Sequence, residues 1–198
     1  MRPMRRGCWV AEFRLATGQP DNGRLVLRSW REEDRPAFAA ICADPQVMAT
    51  LGPVMDRRQS DALIDRVTAL EAAHGHTFWA LERTEDAALI GWCGVIRGDA
   101  GPASGKAEIG WRLARQAWGR GYASEAARAA LDWLFANLDD EAAWAITHVG
   151  NLRSRAVMAR LGMVRHPELD FDHPRLAADD PLLRHVTYSL AREDWTGG

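Results

Sequence analysis

The stretch Glu108-Ile109-Gly110-Trp111-Arg112-Leu113-Ala114-Arg115-Gln116-Ala117-Trp118-Gly119-Arg120-Gly121-Tyr122-Ala123-Ser124-Glu125-Ala126 decides how this chain is read. Up to Leu113 the residues alternate as in a half-buried strand. Glu108, Gly110 and Arg112 share one face, and Ile109, Trp111 and Leu113 share the other. Two closely spaced glycines then break the pattern. Apolar residues at helical spacing resume at once, and Ala127, Leu131, Leu134 and Phe135 form a stripe that ends near Asn137. A strand that passes through a glycine turn straight into a helix can cradle an anion. Glycine lets main-chain amides approach without a Cβ in the way, and the helix start adds unpaired N–H groups and a partial positive charge. Arg115 and Arg120 flank the turn and offer charge-assisted contacts to a phosphate.

Outward from this turn, strands are expected at 77–82, 88–97 and 106–113, separated by turn signals at Glu85-Asp86 and across 98–105. Residues 24–28 alternate as an earlier, half-buried strand. A helix carrying Phe38, Ile41 and Cys42 on one side ends near Asp44-Pro45. A second runs over 58–73 with Leu63, Ile64, Val67 and Leu70 at helical spacing, and Gly75 stops it. Later come a strand at 142–149, a helix at 152–161 capped by Gly162, and a last strand at 185–190. Thr17-Gly-Gln-Pro-Asp-Asn-Gly23 collects turn formers, so 1–20 reads as an extension and 21–198 as one domain. Three consecutive strands with short links favour antiparallel pairing, and the later strand–helix–strand unit requires a parallel crossover. The expectation is a mixed α/β domain with a mostly antiparallel central sheet flanked by helices.

A chain of 198 residues, 47% hydrophobic and 26% charged, has the balance of a soluble domain with one core. The net charge of -2 and the pI of about 6.3 leave no broad basic field for nucleic acid. The basic start at Arg2 is not followed by a signal-like apolar run, and no run is long enough to span a membrane. Cys8, Cys42 and Cys93 are odd in number and scattered, which suits a reducing cytoplasm. His74-Gly-His76 and Asp170-Phe-Asp172-His173 lack zinc spacing, so no metal is expected. Cys93 has no visible His partner and is not read as a nucleophile.

Several ligands contain phosphate. The P-loop pattern is absent. The dinucleotide fingerprint fails at its third glycine, where Ser124 stands. Thr147 and His148 occupy the end of the next strand in place of an acid, and a dinucleotide enzyme is therefore the weakest reading.

Gln116-x-x-Gly119-x-Gly121 resembles the Q/R-x-x-G-x-G/A loop by which GCN5-related N-acetyltransferases hold the pyrophosphate of coenzyme A. Asn151-Leu-Arg-Ser154, with Gly162-Met163 further on, resembles a second element of that family, Met163 replacing the usual Phe. Leu25-Val-Leu-Arg28, Ile90-Gly91 and Tyr188-Ser-Leu190 with Asp194-Trp195 extend the likeness over residues 24–195. It looks closest to the branch that acetylates N-termini of ribosomal proteins. The resemblance implies acetyl-CoA as cosubstrate and a primary amine as acceptor, on a protein N-terminus or a small molecule, in a monomer or homodimer. It also implies that two strands splay to admit the pantetheine arm. Main-chain groups of Ile109, Trp111 and Leu113 would pair with that arm. Gln116, Ala117, Trp118, Gly119, Arg120, Gly121, Tyr122 and Ala123 would hold the pyrophosphate, with Asn151 and Ser154 completing the site.

Attack on a thioester requires a neutral amine, and amines with pKa values of roughly 8 to 10.4 need a proton acceptor to different degrees. Glu108 is the candidate base, acting through water; the same position also suits a carboxylate that orients substrate or is merely solvated. Many relatives protonate the leaving thiolate with a tyrosine seven positions beyond the asparagine, where this chain has Met158. Ser154, one helical turn earlier on the same side, is the replacement donor. Asn151 either bridges coenzyme and strand or caps its helix. Trp30, Met48, Leu51 and Trp79 are candidates for the acceptor pocket. The missing tyrosine also leaves room for a module that binds acetyl-CoA without catalysis.

Overall fold

Nine strands share one sheet in the computed structural model, which describes residues 12–14 and 23–197. Strands β1 (Glu12–Arg14), β2 (Leu25–Arg28), β3 (Phe78–Arg83), β4 (Ala88–Arg97) and β5 (Ala107–Leu113) pair antiparallel in sequence order. Strand β6 (Ala142–His148) lies parallel to β5. The short strands β7 (Val164–Arg165) and β8 (Phe171–Asp172) both pair with β9 (Arg184–Ala191), which runs antiparallel to β6. The sheet is mixed and mostly antiparallel, as the order of elements predicts. Residues 12–14 of the expected extension add an edge strand to it. The remainder of the extension, Cys8, and 17–22 of the turn-former run lie outside the described residues.

Helices α1 (Arg35–Ala43), α2 (Pro45–Met48) and α3 (Arg57–His74) cover one face. The other is covered by α4 (Tyr122–Asn137), with α5 (Leu152–Arg160) beside it. Helix α4 buries Ala126, Ala127, Ala130, Leu131 and Leu134 against Leu25, Leu27, Trp79, Val95 and Ile109. Its small residues let the helix sit close to the strands. Phe135, expected in this stripe, is only partly buried. On the opposite face Phe38, Ile41 and Cys42 of α1 meet Ile64 and Val67 of α3 over Trp92. Helix α3 starts at a reciprocal cap. Asp56 accepts from the Gln59 amide at 2.7 Å, and the Gln59 side chain accepts from the Asp56 amide at 2.9 Å.

Strand β2 departs from its expected half-burial, since all four residues are buried. Helices cover both of its faces, and Arg28 survives there through an ion-paired fork. Its Nη1 and Nη2 donate to the Asp34 carboxylate at 2.7 and 2.8 Å, and its Nε donates to Glu82 at 2.7 Å. Strands β7 and β8 and helix α2 were not expected, because two to four residues carry no measurable periodicity.

Asp34 also accepts the Arg31 amide at 2.8 Å, so it closes a turn as well as a charge pair. Asp34→Ala leaves a buried guanidinium with Glu82 as its remaining carboxylate and the Ser29 carbonyl at 3.1 Å, and is expected to cost about 3–5 kcal/mol. Urea denaturation checks this, and a loss below about 1 kcal/mol would contradict it.

Candidate active site

Parallel neighbours normally keep their ladder along their length, yet β5 and β6 share one paired position, Glu108 with Trp144. On either side the sheet is fully zipped. Seven positions of β5 pair with β4, and seven positions of β6 pair with β9. The edges therefore part beyond Glu108 and leave main-chain groups of β5 toward Leu113 without a strand partner. A cavity of about 620 Å³ opens at this split, lined by Trp111, Leu113, Asn151, Ser154, Val157 and the loop that follows β5.

That loop divides into two parts. The Ala117 and Trp118 amides turn inward, to the Ala114 carbonyl at 2.9 Å and the Arg115 carbonyl at 3.1 Å. Of the residues 116 to 123 expected to hold the pyrophosphate, Ala117 and Trp118 therefore have no free amide to offer, because the tight helical turn at Arg115–Ala117 uses both. From Gly119 to Ser124 the amides meet no acceptor among the described residues. Gly119 and Gly121 have φ of 73° and 82°, conformations in which a Cβ is strained, and α4 begins with no side-chain cap. The helix N-terminus is left open to an anion. Its one first-turn acid, Glu125, is paired with Arg24 at 2.5 Å. Gln116 and Arg120 are exposed and do not line the cavity, whereas Trp118 does so through its indole, with the Arg153 guanidinium 4.2 Å above it.

Helix α5 contributes two side chains. Asn151 Oδ1 accepts the Ser154 amide at 3.2 Å, and its Nδ2 donates to Thr147 Oγ1 at 3.0 Å. The Asn151 side chain therefore caps the helix and ties it to β6. Ser154 lines the cavity, and its Oγ meets no protein partner among the described residues. Met158 is buried in the core one turn on.

Glu108 stands where β5 and β6 part. The residue is partly exposed; its carboxyl stands near Gly98 and accepts no hydrogen bond among the described residues. Burial pushes its pKa up to about 7; the Asp99 charge adds to the rise and Arg175 opposes it. Ile109 points the other way, into the α4 core.

Comparison with known proteins fits this geometry. The acetyltransferase (GNAT) domain model matches residues 24–164. The chain belongs to the GNAT acetyltransferase family. YkkB of Bacillus subtilis (strain 168) is 31% identical over 141 residues, covering 71% of this chain and 81% of that protein. An acetyltransferase from Agrobacterium tumefaciens str. C58 superposes with a TM-score of 0.72 at 25% identity, over 96% of this chain and 99% of its own. A ribosomal-protein-S5-alanine acetyltransferase from Vibrio fischeri shares the fold, with a TM-score of 0.68 at 16% identity over 94% and 99% of the two chains. Family membership makes this GNAT chain an acetyl-CoA-dependent N-acetyltransferase and removes the dinucleotide reading.

Among the acceptor-pocket candidates, Leu51 lines the cavity of this acetyltransferase. Trp79 does not. It is fully buried in the core that α4 covers, its ring edge-on to Trp133 at 5.0 Å and its indole N–H donating to Glu71 of α3 at 3.1 Å. Met48 is buried as well, and Trp30 packs outside the cavity against Phe38 at 4.9 Å. Cys93 is buried with its thiol pKa pushed up by that burial. His76 is buried on the Val95 carbonyl at 2.9 Å. Arg112, Gln46 and Arg153 line the cavity without having been singled out as side chains. For Arg112 the strand alternation was signal enough, since it placed the residue on the face of Glu108.

A carboxyl that holds its proton to about pH 7 when folded, and releases it near 4.5 when unfolded, destabilises the fold as pH rises between those values. Glu108→Gln removes that cost, up to roughly 3 kcal/mol. Its urea midpoint should exceed wild type at pH 8, with the gap closing toward pH 4.5. A variant no more stable than wild type at pH 8 refutes the burial argument.

Proposed function

We propose that this enzyme transfers the acetyl group of acetyl-CoA directly to a primary amine, on a protein N-terminus or a small molecule. The observation that carries the reading is the split after Glu108–Trp144, which ends at the uncapped amides of α4. The pyrophosphate fits the amides of 119–124, with Arg153 and Arg160 nearby. Main-chain groups of Ile109 to Leu113 pair with the pantetheine arm as a missing strand would, and one of those amides serves the developing oxyanion. The neutral amine attacks the thioester carbonyl carbon, a C–N bond forms, and the C–S bond breaks. The amine proton leaves through water to the Glu108 carboxylate. The Ser154 hydroxyl hydrogen-bonds to the departing sulfur, which leaves as a thiolate and takes its proton from solvent.

The likeness to ribosomal-protein acetyltransferases is one of fold and supports that branch as a proposal only at that level. The net charge of -2 favours a partner other than nucleic acid, and no described helix is long and apolar enough to cross a membrane. We assign the enzyme to the cytoplasm as a monomer or homodimer, with no metal in the reaction.

Acetyl-CoA should raise the melting temperature and NADP should not, and Gly121→Val should abolish the acetyl-CoA shift. Thiol release with an amine panel separates an enzyme from a binding module. The kcat/KM profile should climb through about pH 7 as Glu108 loses its proton. Glu108→Gln should lose that limb and about 10²–10⁴ in rate. An unchanged profile removes Glu108 as base, and no shift with acetyl-CoA removes the whole reading.

A further inference from the structure

Several buried or half-buried arginines in this fold are matched to carboxylates or carbonyls, and Arg112 on the cavity wall is not. Arg28 has Asp34 and Glu82, Arg165 has Asp170, and Arg192 donates to the carbonyls of Phe135, Leu138 and Asp140. Arg112 is half-buried and lines the cavity, yet no carboxylate or carbonyl among the described residues faces it. Its Nη1 donates to Cys42 Sγ at 3.1 Å, a weak acceptor. Its Nε is buried with no partner, and its Nη2 meets no protein acceptor among the described residues. A guanidinium keeps its charge at any working pH, so the site carries an uncompensated cation.

The cation is held in place. Its guanidinium lies 5.0 Å from the Trp92 ring centroid and 6.0 Å from that of Phe38. Asp44, two residues beyond Cys42, does not neutralise it. One oxygen of Asp44 accepts the Gln46 amide at 2.8 Å and the other faces Arg115 at 3.5 Å. The side chain also projects from the sheet face that carries Glu108, four residues and about 13 Å along the strand. The coenzyme, in the reading above, occupies a strand edge and the helix amides, and Arg153 and Arg160 stand on that side.

We propose that Arg112 determines specificity by binding a carboxylate on the acceptor, so that the amine acetylated here is carried by a molecule with a carboxylate group. A planar fork with free donors, stacked on aromatics, matches a carboxylate in geometry and charge. This rests on the acetyl-transfer reading, whose failure would be seen separately in the acetyl-CoA thermal shift. Free amino acids and peptides with an acidic second residue are the two sources of such an acceptor.

The test measures thiol release from acetyl-CoA with the twenty L-amino acids, their carboxamides, and Ala-initiated tripeptides with Asp, Glu or Ala second. Carboxylates should exceed their carboxamides, or acidic peptides the neutral one, by roughly 10- to 100-fold in kcat/KM. The two comparisons tell the sources apart. Arg112→Gln should bring that ratio near one while leaving KM for acetyl-CoA unchanged. Arg112→Lys, which keeps the charge and loses the fork, should retain part of the preference and guards against a misfolded Gln variant. Turnover without carboxylate preference, a preference that survives Arg112→Gln, or a rise confined to the acetyl-CoA KM overturns the proposal. So does a panel with no turnover. In that case an acetyl-CoA thermal shift shows that the coenzyme reading stands while the acceptor assignment falls.

Discussion

The single pairing of Glu108 with Trp144 is the constraint on which this molecule turns. A parallel ladder broken after one position leaves strand-edge donors and acceptors exposed, which a fold normally avoids. It persists because each edge belongs to a sheet half that is firmly paired on its far side, seven positions with β4 and seven with β9. Helices α4 and α5 then hold the halves at their separation. The alanines of α4 seat it closely on β4 and β5, and Asn151 ties the start of α5 to Thr147 on β6. The wedge that results ends at a helix N-terminus with unpaired amides, so one distortion of the sheet produces both an open strand edge and an open helix start, the two features on which the proposed coenzyme site rests.

Charge follows the same division. On the coenzyme side the helix start is kept free of net negative charge, because Arg24 engages Glu125. On the opposite face low polarity acts on both ionisable groups of β5. It holds the Glu108 carboxyl protonated up to about pH 7 and leaves Arg112 in need of an anion. A carboxyl so placed accepts a proton from an ammonium-like intermediate more readily than a solvated one.

Much of this was legible in the residues, and the limits of legibility have physical causes. Strands β3 to β5 and helices α3 and α4 carry enough turns or alternations to announce themselves, and their ends fell within a residue or two of expectation. The glycine turn was readable because left-handed backbone demands glycine at Gly119 and Gly121. The full burial of β2 was not. It depends on Glu82, 54 positions away from Arg28, and no local pattern reports such a partner. Trp79 illustrates the same limit. Its chemistry suits a pocket, but its parity on β3 turns it toward Trp133. In the loop, residue identity located the glycine turn, and hydrogen-bond geometry alone showed that the amides of Ala117 and Trp118 are used within it and that the unpaired run starts at Gly119. Arg112 lay on a known face, but its lack of a partner is a fact of three dimensions.

Met158 in place of the tyrosine that the family resemblance leads one to expect follows from the packing. The side chain is buried in the core cluster that α5 shares with α4, where a thioether fits without a hydrogen-bond partner and a phenol would require one. The chemistry tolerates the exchange. A thiol of pKa about 8.5 leaves as a thiolate without full protonation, so in the proposed reaction a hydroxyl donor such as Ser154, or solvent, takes the place of a phenolic acid. The proton that is harder to manage is the one on the attacking amine, since an ammonium does not attack at all. In the proposed reaction the demand for a tuned group therefore shifts to the amine side of the thioester, the role proposed for Glu108, whose pKa burial raises to about 7.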